Sequence, residues 1–67
     1  MLAKFKVGQQ VTYHRSQQFT IMLYEGTVVL CKMLPSGSFF YDIKLNDGKS
    51  YFFEVAEGTL YATPNQE

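Results

Sequence analysis

The side chains that could perform acid–base or nucleophilic chemistry are few, and they lie far apart in the sequence. His14 is the only histidine and Cys31 the only cysteine. A general base needs a partner within hydrogen-bonding reach, and no acidic residue stands near His14. Cys31 lies within Val-Val-Leu-Cys-Lys-Met, where a thiol is typical of apolar packing rather than of a stabilised thiolate. The sequence therefore predicts a non-catalytic protein.

The acidic residues do not indicate a metal or phosphate site. Asp42, Asp47, Glu54 and Glu57 are spread over a predicted hairpin and turn, where surface ion pairs are their ordinary role. One cysteine and one histidine fall short of the roughly four ligands of a structural zinc site. The glycines are single, as turns and bends require, and do not form a phosphate-binding loop. We predict no metal and no cofactor.

The composition predicts one small domain over residues 1–67 that is stabilised by apolar burial. Hydrophobic residues make up 46% of the chain and aromatic residues 16%. A domain of this size buries only about 60% of the surface its unfolded chain exposes, and a single cysteine cannot form an intrachain disulfide. Each buried aromatic ring removes roughly 150–250 Å² from water. We expect apolar burial, assisted by self-association, to supply the stability.

The charge balance and the hydropathy pattern disfavour two classes of partner. Six basic and six acidic side chains give a formal net charge of +0, whereas proteins that bind nucleic acid through phosphates usually carry a basic excess. No apolar run approaches the ~20 residues that span a bilayer. The first ten residues, MLAKFKVGQQ, lack the apolar stretch of a signal peptide. These features predict a soluble cytoplasmic protein.

Alternating apolar and polar residues predict an all-β chain. Thr20, Thr27 and the valines near Gly26 disfavour a helix over 20–34, so we predict a long strand there with a bend or bulge near Gly26. Residues 15–19 are predicted to be a loop and 64–67 a frayed tail. The predicted strands are 9–14, 20–34, 39–45, 49–55 and 59–63, with a single 3₁₀ turn over 56–58.

The stretch YDIKLNDGKSYFFEV predicts a hairpin with one core face. Asp47-Gly48 is typical of a type I′ turn. Strict alternation across this turn would place two phenylalanines, Phe40 and Phe52, on the outer face, where they are not explained by the core. The residues predicted to face the core are Tyr41, Ile43, Leu45, Tyr51, Phe53 and Val55. In the last predicted strand, Leu60 is the predicted core residue.

Several short motifs give the chain a resemblance to small SH3-like barrels of the Tudor-like and KOW-like type. They are Gly8 with Val11, Gly26 with Val28, the run Tyr41-x-Ile43-x-Leu45-x-Asp47-Gly48, and Leu60 near the end. The resemblance covers nearly the whole chain and implies a five-stranded SH3-like barrel. It also implies a binding role, because Tudor-like barrels often gather aromatic residues and an acid into a cage for methylated lysine or arginine.

The first functional hypothesis is a non-catalytic interaction module that binds a protein partner, or a second copy of itself, through exposed aromatic residues. Contiguous exposed apolar patches usually mark interfaces. The residues predicted to form the patch are Tyr13, Tyr24, Phe40, Phe52 and Asp42.

The second hypothesis is nucleic-acid binding, as in KOW-like barrels. Exposed rings would stack on bases and cations would contact phosphates, although the net charge counts against it. The cations available are Lys4, Lys6, Arg15, Lys32, Lys44 and Lys49.

The third hypothesis rests on a resemblance to the short type II dihydrofolate reductases, SH3-like chains of which four copies build one active pore. Such enzymes need few catalytic side chains. The Val-Gln-Ile-Tyr run of that family is absent here, and YFFEV, residues 51–55, stands in its region.

Overall fold

A computed structural model describes residues 2–64 as an all-β chain, which confirms the predicted five strands and the single 3₁₀ turn before the last strand. No helix in this range is long and apolar enough to cross a membrane. Of the predicted tail, only Pro64 lies within the described residues. The elements are β1 (Gln10–Gln17), β2 (Thr20–Met33), β3 (Phe39–Leu45), β4 (Tyr51–Ala56), the 3₁₀ turn (Glu57–Thr59) and β5 (Leu60–Ala62).

The strands form one antiparallel sheet in the order β4-β3-β2-β1-β5. β5 pairs only with the inner half of β1, through Val11, Thr12 and Tyr13. No ladder joins β4 to β5 within residues 2–64, so the described sheet is open. The predicted all-β class, the five strands and the 3₁₀ turn are confirmed, and closure into a barrel stays an expectation from the resemblance.

The core lies on one face of the sheet, which we call the inner face. It is built from large side chains that are almost completely shielded from water: Phe5, Val11, Val28, Tyr41, Ile43, Val55 and Leu60. Every strand contributes at least one of them, so the cluster ties the whole sheet together. The prediction that Leu60 belongs to the core is confirmed.

The segment before β1 packs against the inner face. Phe5 is buried and meets Tyr41 edge to face, with ring centroids 5.5 Å apart. The Phe5 backbone N–H donates to the Tyr41 hydroxyl at 3.2 Å. That hydroxyl donates to Glu57 Oε2 at 2.6 Å, and the Lys4 backbone N–H donates to the same oxygen at 2.9 Å. These bonds satisfy the one phenol that lies inside the core.

The same contacts shift two pKa values. Burial, with the hydrogen bond to Glu57, raises the pKa of Tyr41 from 10.0 to about 12. The hydrogen bond from Tyr41, with that from the Lys4 N–H, holds the pKa of Glu57 below its ordinary value of 4.5. Both shifts follow from one geometry, in which the phenol keeps its proton and the carboxylate remains ionised.

The prediction of a loop over 15–19 is wrong, because β1 continues through these residues to Gln17. β1 and β2 pair without interruption from Gln10–Thr27 to Gln17–Thr20. The turn is therefore only two residues long, Gln18-Phe19. Gln18 has φ +52, a conformation that glycine, asparagine or aspartate usually adopts. The sequence lacks those residues at this point, so the tight turn gives no local signal.

Gly26 does not form the predicted bend. The ladder between β2 and β3 shifts register between Val28 and Leu30, which places the bulge three residues later, at Val29. Gly26 is required for another reason. A Cβ atom there would stand 2.5 Å from the Lys44 carbonyl oxygen and 2.8 Å from Ile43 Cγ2. β2 and β3 can approach this closely only because position 26 lacks a side chain.

The turn between β3 and β4 is not the predicted type I′ turn. That turn needs positive φ at both central residues, and Asp47 is not among the non-glycine residues with positive φ. Instead, the Gly48 N–H donates to the Leu45 carbonyl and Gly48 itself has φ +81. The Asp47 carboxylate accepts bonds from Lys49 N, Ser50 N and Ser50 Oγ. These bonds lower the pKa of Asp47.

A bulge in β4 overturns part of the predicted face assignment. Tyr41 pairs with Val55 and Ile43 with Phe52, so β4 uses one more residue than β3 over this stretch. Glu54 has φ +53 there. Because side chains alternate with a period of two, one extra residue exchanges the faces on its two sides.

The predicted outward position of Phe52 is therefore wrong, as are the predicted core positions of Tyr51 and Phe53. Phe52 is half-buried and packs against the core, whereas Tyr51 is 46% exposed and Phe53 68% exposed. Phe40 does lie on the outer face, opposite to its neighbour Tyr41, and is half-buried. The predicted core positions of Tyr41, Ile43 and Val55 are confirmed, and Leu45 packs partly buried against them.

Candidate interaction surfaces

Three of the five residues predicted to form an interaction patch converge at one end of the inner face. The Tyr13 and Phe52 rings meet edge to face at 5.0 Å, and the Tyr24 and Phe52 rings at 4.9 Å. Tyr13 and Tyr24 are cross-strand partners with centroids 6.3 Å apart. The β4 bulge makes this cluster possible, because it turns Phe52 toward β1 and β2.

The three rings cover the end of the core rather than line an open cage. All three are half-buried, and Tyr13 and Phe52 pack against core residues. The Arg15 guanidinium lies over the Phe52 ring, 5.4 Å from its centroid, which is the distance of a cation–π contact. Within this chain, therefore, a cation already occupies the ring face that a ligand cation would seek.

Phe40 and Asp42, the other two residues of the predicted patch, lie on the opposite face of β3. Phe40 pairs with Lys32 and Ala56. Asp42 Oδ1 accepts the backbone N–H of Glu54 at 2.9 Å, which satisfies the donor left unpaired by the bulge. The structure thus divides the predicted patch between two faces of the sheet.

The outer face near β4 carries two exposed rings of its own. Tyr51 and Phe53 are stacked, with centroids 5.8 Å apart and an angle of 8° between the rings. Lys44 Nζ lies 6.0 Å from the Tyr51 centroid. Charged groups of both signs surround this pair of rings, including the ion pair of Lys32 Nζ with Glu54 Oε2 at 3.7 Å. We call Tyr51 and Phe53 the β4 platform.

A second exposed surface lies on the far part of the β1–β2 hairpin. β3 covers β2 only from Gly26 onward, and β5 covers β1 only as far as Tyr13. Residues 14–24 therefore extend beyond the rest of the sheet as a two-stranded arm. Phe19 at its tip is fully exposed, Ile21 is 63% exposed and Leu23 is 60% exposed. Ile21 and Leu23 alternate with inner-face residues and so share the outer face.

The apolar surface of the arm continues toward β5. His14 is the cross-strand partner of Leu23, and the His14 ring lies 4.2 Å from the ring of Tyr61, centroid to centroid. Tyr61 is 52% exposed. We call these five residues the arm patch: His14, Phe19, Ile21, Leu23 and Tyr61. With typical side-chain areas, the exposed parts of this patch present on the order of 500 Å².

The residues considered for catalysis pack against, or hydrogen-bond to, other parts of the fold. The His14 ring packs against the Tyr61 ring at a tilt of 44°, and Cys31 is half-buried against the core. Glu57 lines a shallow depression of about 430 Å³ together with Phe39 and Phe40, but its carboxylate is engaged by Tyr41 and Lys4. Residues 2–64 contain no group of three histidine, cysteine, aspartate or glutamate side chains that could hold a metal ion.

The six cations considered for nucleic acid are distributed over several elements. Lys32 and Lys44 lie on the outer face with Asp42, and Arg15 lies on the inner face of the arm. Lys4 and Lys6 precede β1, and Lys49 lies in the turn before β4.

No family model matches the chain, and neither the curated proteins nor the solved structures contain a significant match to it.

The sequence analysis did not predict the arm patch, although the lengths of the predicted strands contain a signal for it. The predicted strand over 20–34 was about twice as long as its neighbour over 39–45. A strand cannot be covered by a partner half its length, so one end had to project. A loop over 15–19 is inconsistent with such an arm, because the projecting end of β2 then has no partner strand.

Proposed function

We propose that the chain is a non-catalytic interaction module that binds a polypeptide through the arm patch. The observation that carries this proposal is the exposure of Phe19, Ile21 and Leu23 on an arm that the rest of the sheet does not cover. Scattered exposed apolar side chains are ordinary, but Ile21 and Leu23 follow one another on one face of β2, and Phe19 lies in the turn directly before that strand. Contiguous patches of several hundred Å² usually mark interfaces.

The chemistry of the arm patch fits a protein surface better than an ionic ligand. None of its five side chains carries a carboxylate, ammonium or guanidinium group. Apolar area removed from water contributes about 25 cal/mol per Å², so burial of this patch would yield a useful binding free energy even after the cost of association. Leu23 and Tyr61, at the two sides of the patch, would form its margins, and Ile21 its centre.

Two broader features complete the proposal. The strand order and the 3₁₀ turn before β5 support an SH3-like barrel as the scaffold of the module. The free thiol of Cys31 supports a reducing compartment, the cytoplasm, because disulfides are rare there.

A photo-crosslinking amino acid at position 19 tests the binding proposal in an extract of the producing cells. We expect a covalent adduct with another polypeptide chain, and its loss when Ile21→Lys is added. The matched control carries the same crosslinker at position 51, on the β4 platform. An adduct yield at position 19 no higher than that at position 51 would contradict the proposal.

A second candidate function is the binding of single-stranded nucleic acid, and the β4 platform favours it. Two exposed, nearly parallel rings with Lys44 beside them resemble the surfaces on which successive bases stack, and each such stack is worth about 1–3 kcal/mol. The acidic groups on the same face, Asp42 and Glu54, oppose the approach of phosphates.

Gel-shift titration with a labelled single-stranded oligonucleotide at low salt tests this second function. Tyr51→Ser with Phe53→Ser should abolish any shift, while Ile21→Lys in the arm should leave it unchanged. Absence of a shift for the unmodified protein at micromolar concentration removes this candidate and leaves the arm proposal intact.

A further inference from the structure

We infer that the occupant of the arm patch is the arm patch of a second copy of this chain, packed face to face about a two-fold axis. This inference rests on the proposed function and names its partner. In a two-fold interface the same surface is used on both subunits, so each residue must tolerate its counterpart across the axis. The arm patch meets this condition in its charge, its area and its shape.

The charge of the arm patch is compatible with pairing to its own copy. A patch that binds its own copy brings each charged group near the two-fold axis close to the same charge on the other subunit. The arm patch contains no aspartate, glutamate, lysine or arginine side chain. The outer face around the β4 platform instead carries Lys32, Lys44 and Glu54. Self-pairing there would have to bring opposite charges into register. On the face that carries the arm patch, the nearest charged side chain is Glu25, which pairs with Thr12 beyond the base of the arm and lies four residues from Ile21.

The area is adequate for a reversible dimer. Two patches of on the order of 500 Å² bury about 1,000 Å² in total, which is the lower limit of specific interfaces. The polar side chains next to the patch, such as Ser16 on the same face, would add to this as a rim. Interfaces of this size are usually weak or transient, so we expect dissociation in the micromolar range.

The shape of the patch is asymmetric along the arm, which determines how two copies meet. Phe19 is fully exposed at the tip, while His14 and Tyr61 form a pair of rings in contact near the base. The tip lies about 13–17 Å from the base, at ~3.3 Å per strand residue. With the arms antiparallel, Phe19 of each chain would rest on the His14–Tyr61 pair of the other, and Ile21 would lie near the axis.

Sedimentation velocity over a concentration series tests the association. We expect the unmodified protein to form dimers at about 100 µM. Ile21→Lys should weaken dimerisation by at least about 30-fold, because it places two like charges near the axis in an apolar contact. The control Phe53→Lys changes an equally exposed apolar residue on the β4 platform and should leave the dimer unchanged. Circular dichroism verifies that both variants fold.

Two results would overturn the inference. One is a monomer at all concentrations up to about 100 µM, and the other is a dimer that Phe53→Lys disrupts and Ile21→Lys does not. The crosslinking in cell extract separates this failure from that of the proposed function. A monomeric protein that still forms an Ile21-dependent adduct with a different polypeptide retains the interaction role and refutes self-association alone.

Cross-chain disulfide formation tests the arrangement itself. One chain carries Phe19→Cys and the other Tyr61→Cys, both in a Cys31→Ser background. Mixing them under mild oxidation should yield the mixed dimer as the main crosslinked product. The control pair replaces Tyr61→Cys by Tyr51→Cys and should yield little. Equal yields from the two pairs would refute the antiparallel arrangement.

Discussion

The β1–β2 and β3–β4 hairpins differ in how their sequences relate to their structures. The β3–β4 hairpin contains clear alternation and an Asp-Gly turn signal, yet a bulge exchanges the faces of its second strand. The β1–β2 hairpin has no turn signal and its sequence predicts a loop over 15–19, yet it pairs without a break over eight residue pairs. Clear local patterns therefore accompany an irregular ladder here, and weak patterns a regular one.

The difference shows what period-two alternation can establish. It identifies the face of a residue relative to its neighbours in the same strand, but only as far as the next bulge. In β4 the extra residue at Phe53–Glu54 leaves Val55 inside, as predicted, and moves Phe52 to the inside and Tyr51 to the outside. The largest consequence is functional, because the exposed rings are not those that alternation predicted.

The two hairpins join where β2 meets β3, and a side chain at Gly26 would force these strands apart. Gly26→Ala adds a Cβ atom 2.5 Å from the Lys44 carbonyl oxygen, so the backbones of β2 and β3 must move apart. We expect a loss of about 2–4 kcal/mol in the free energy of unfolding, measured by urea titration. Gly58→Ala, which meets nothing within 4 Å, should change it by less than about 0.5 kcal/mol. Similar losses in both variants would contradict this explanation.

Tyr41→Phe tests the hydrogen bonds of the Tyr41 hydroxyl, which join β3 to Phe5 in the segment before β1. The change keeps the ring but leaves the buried Phe5 N–H without its acceptor. We expect a loss of about 1–3 kcal/mol in unfolding free energy. The absorbance change of phenolate formation near pH 12 should disappear as well. The control Tyr51→Phe alters an exposed ring on the same hairpin and should be nearly neutral.

Each hairpin holds one non-glycine residue at positive φ, which allows a matched experiment. Gln18 has φ +52 in the arm and Glu54 has φ +53 in the bulge. At each position we compare the glycine and alanine variants, because both remove the original side chain and only alanine retains the backbone strain. Glycine should be more stabilising by about 1 kcal/mol.

The measurement must differ between the two positions. Urea unfolding should report the Glu54 difference, because the bulge adjoins the core. Hydrogen exchange of arm amides should report the Gln18 difference, because the arm can open locally. A Gln18 difference that appears equally in amides of β3 would show that the arm and the core unfold as one unit.

Glu57 should make the stability of the fold depend on pH under acidic conditions, and we expect this change to be smaller than those above. The folded pKa of Glu57 lies below its ordinary value of 4.5, so its contribution to stability is complete above that value and is lost as the pH falls through the folded pKa. Glu57→Gln should therefore show a shallower loss of stability on acidification than the unmodified protein, measured by urea titration from neutral pH to about pH 3. Parallel curves would assign the acid sensitivity to other groups.

The sequence predicted the number and approximate positions of the strands and the 3₁₀ turn, because these depend on composition and on short-range alternation. It also identified most of the core, including Val55 and Leu60. It could not predict the bulge, which depends on a bond from the Asp42 side chain to the Glu54 N–H. Nor could it predict the role of Gly26, which depends on the approach of another strand.

The exposed aromatic residues were predicted in kind but not by position. An excess of exposed aromatic residues was expected, and exposed rings are present, but at Phe19, Tyr51, Phe53 and Tyr61. Tyr13, Tyr24 and Phe52 did come together, through a register shift that the alternation did not contain. Which residues are exposed depends on which strands are covered, and that is a property of the sheet as a whole.

The bond between Lys4 and Glu57 joins positions 53 residues apart in the chain. Phe5 likewise fills its place only beside Tyr41, and the core also needs Val55 and Leu60. During synthesis Lys4 and Phe5 must therefore wait until Glu57 and Leu60 have been made before the inner face can close. The β1–β2 hairpin alone can form early, which leaves its apolar side chains as the first surface that a nascent chain presents to its surroundings.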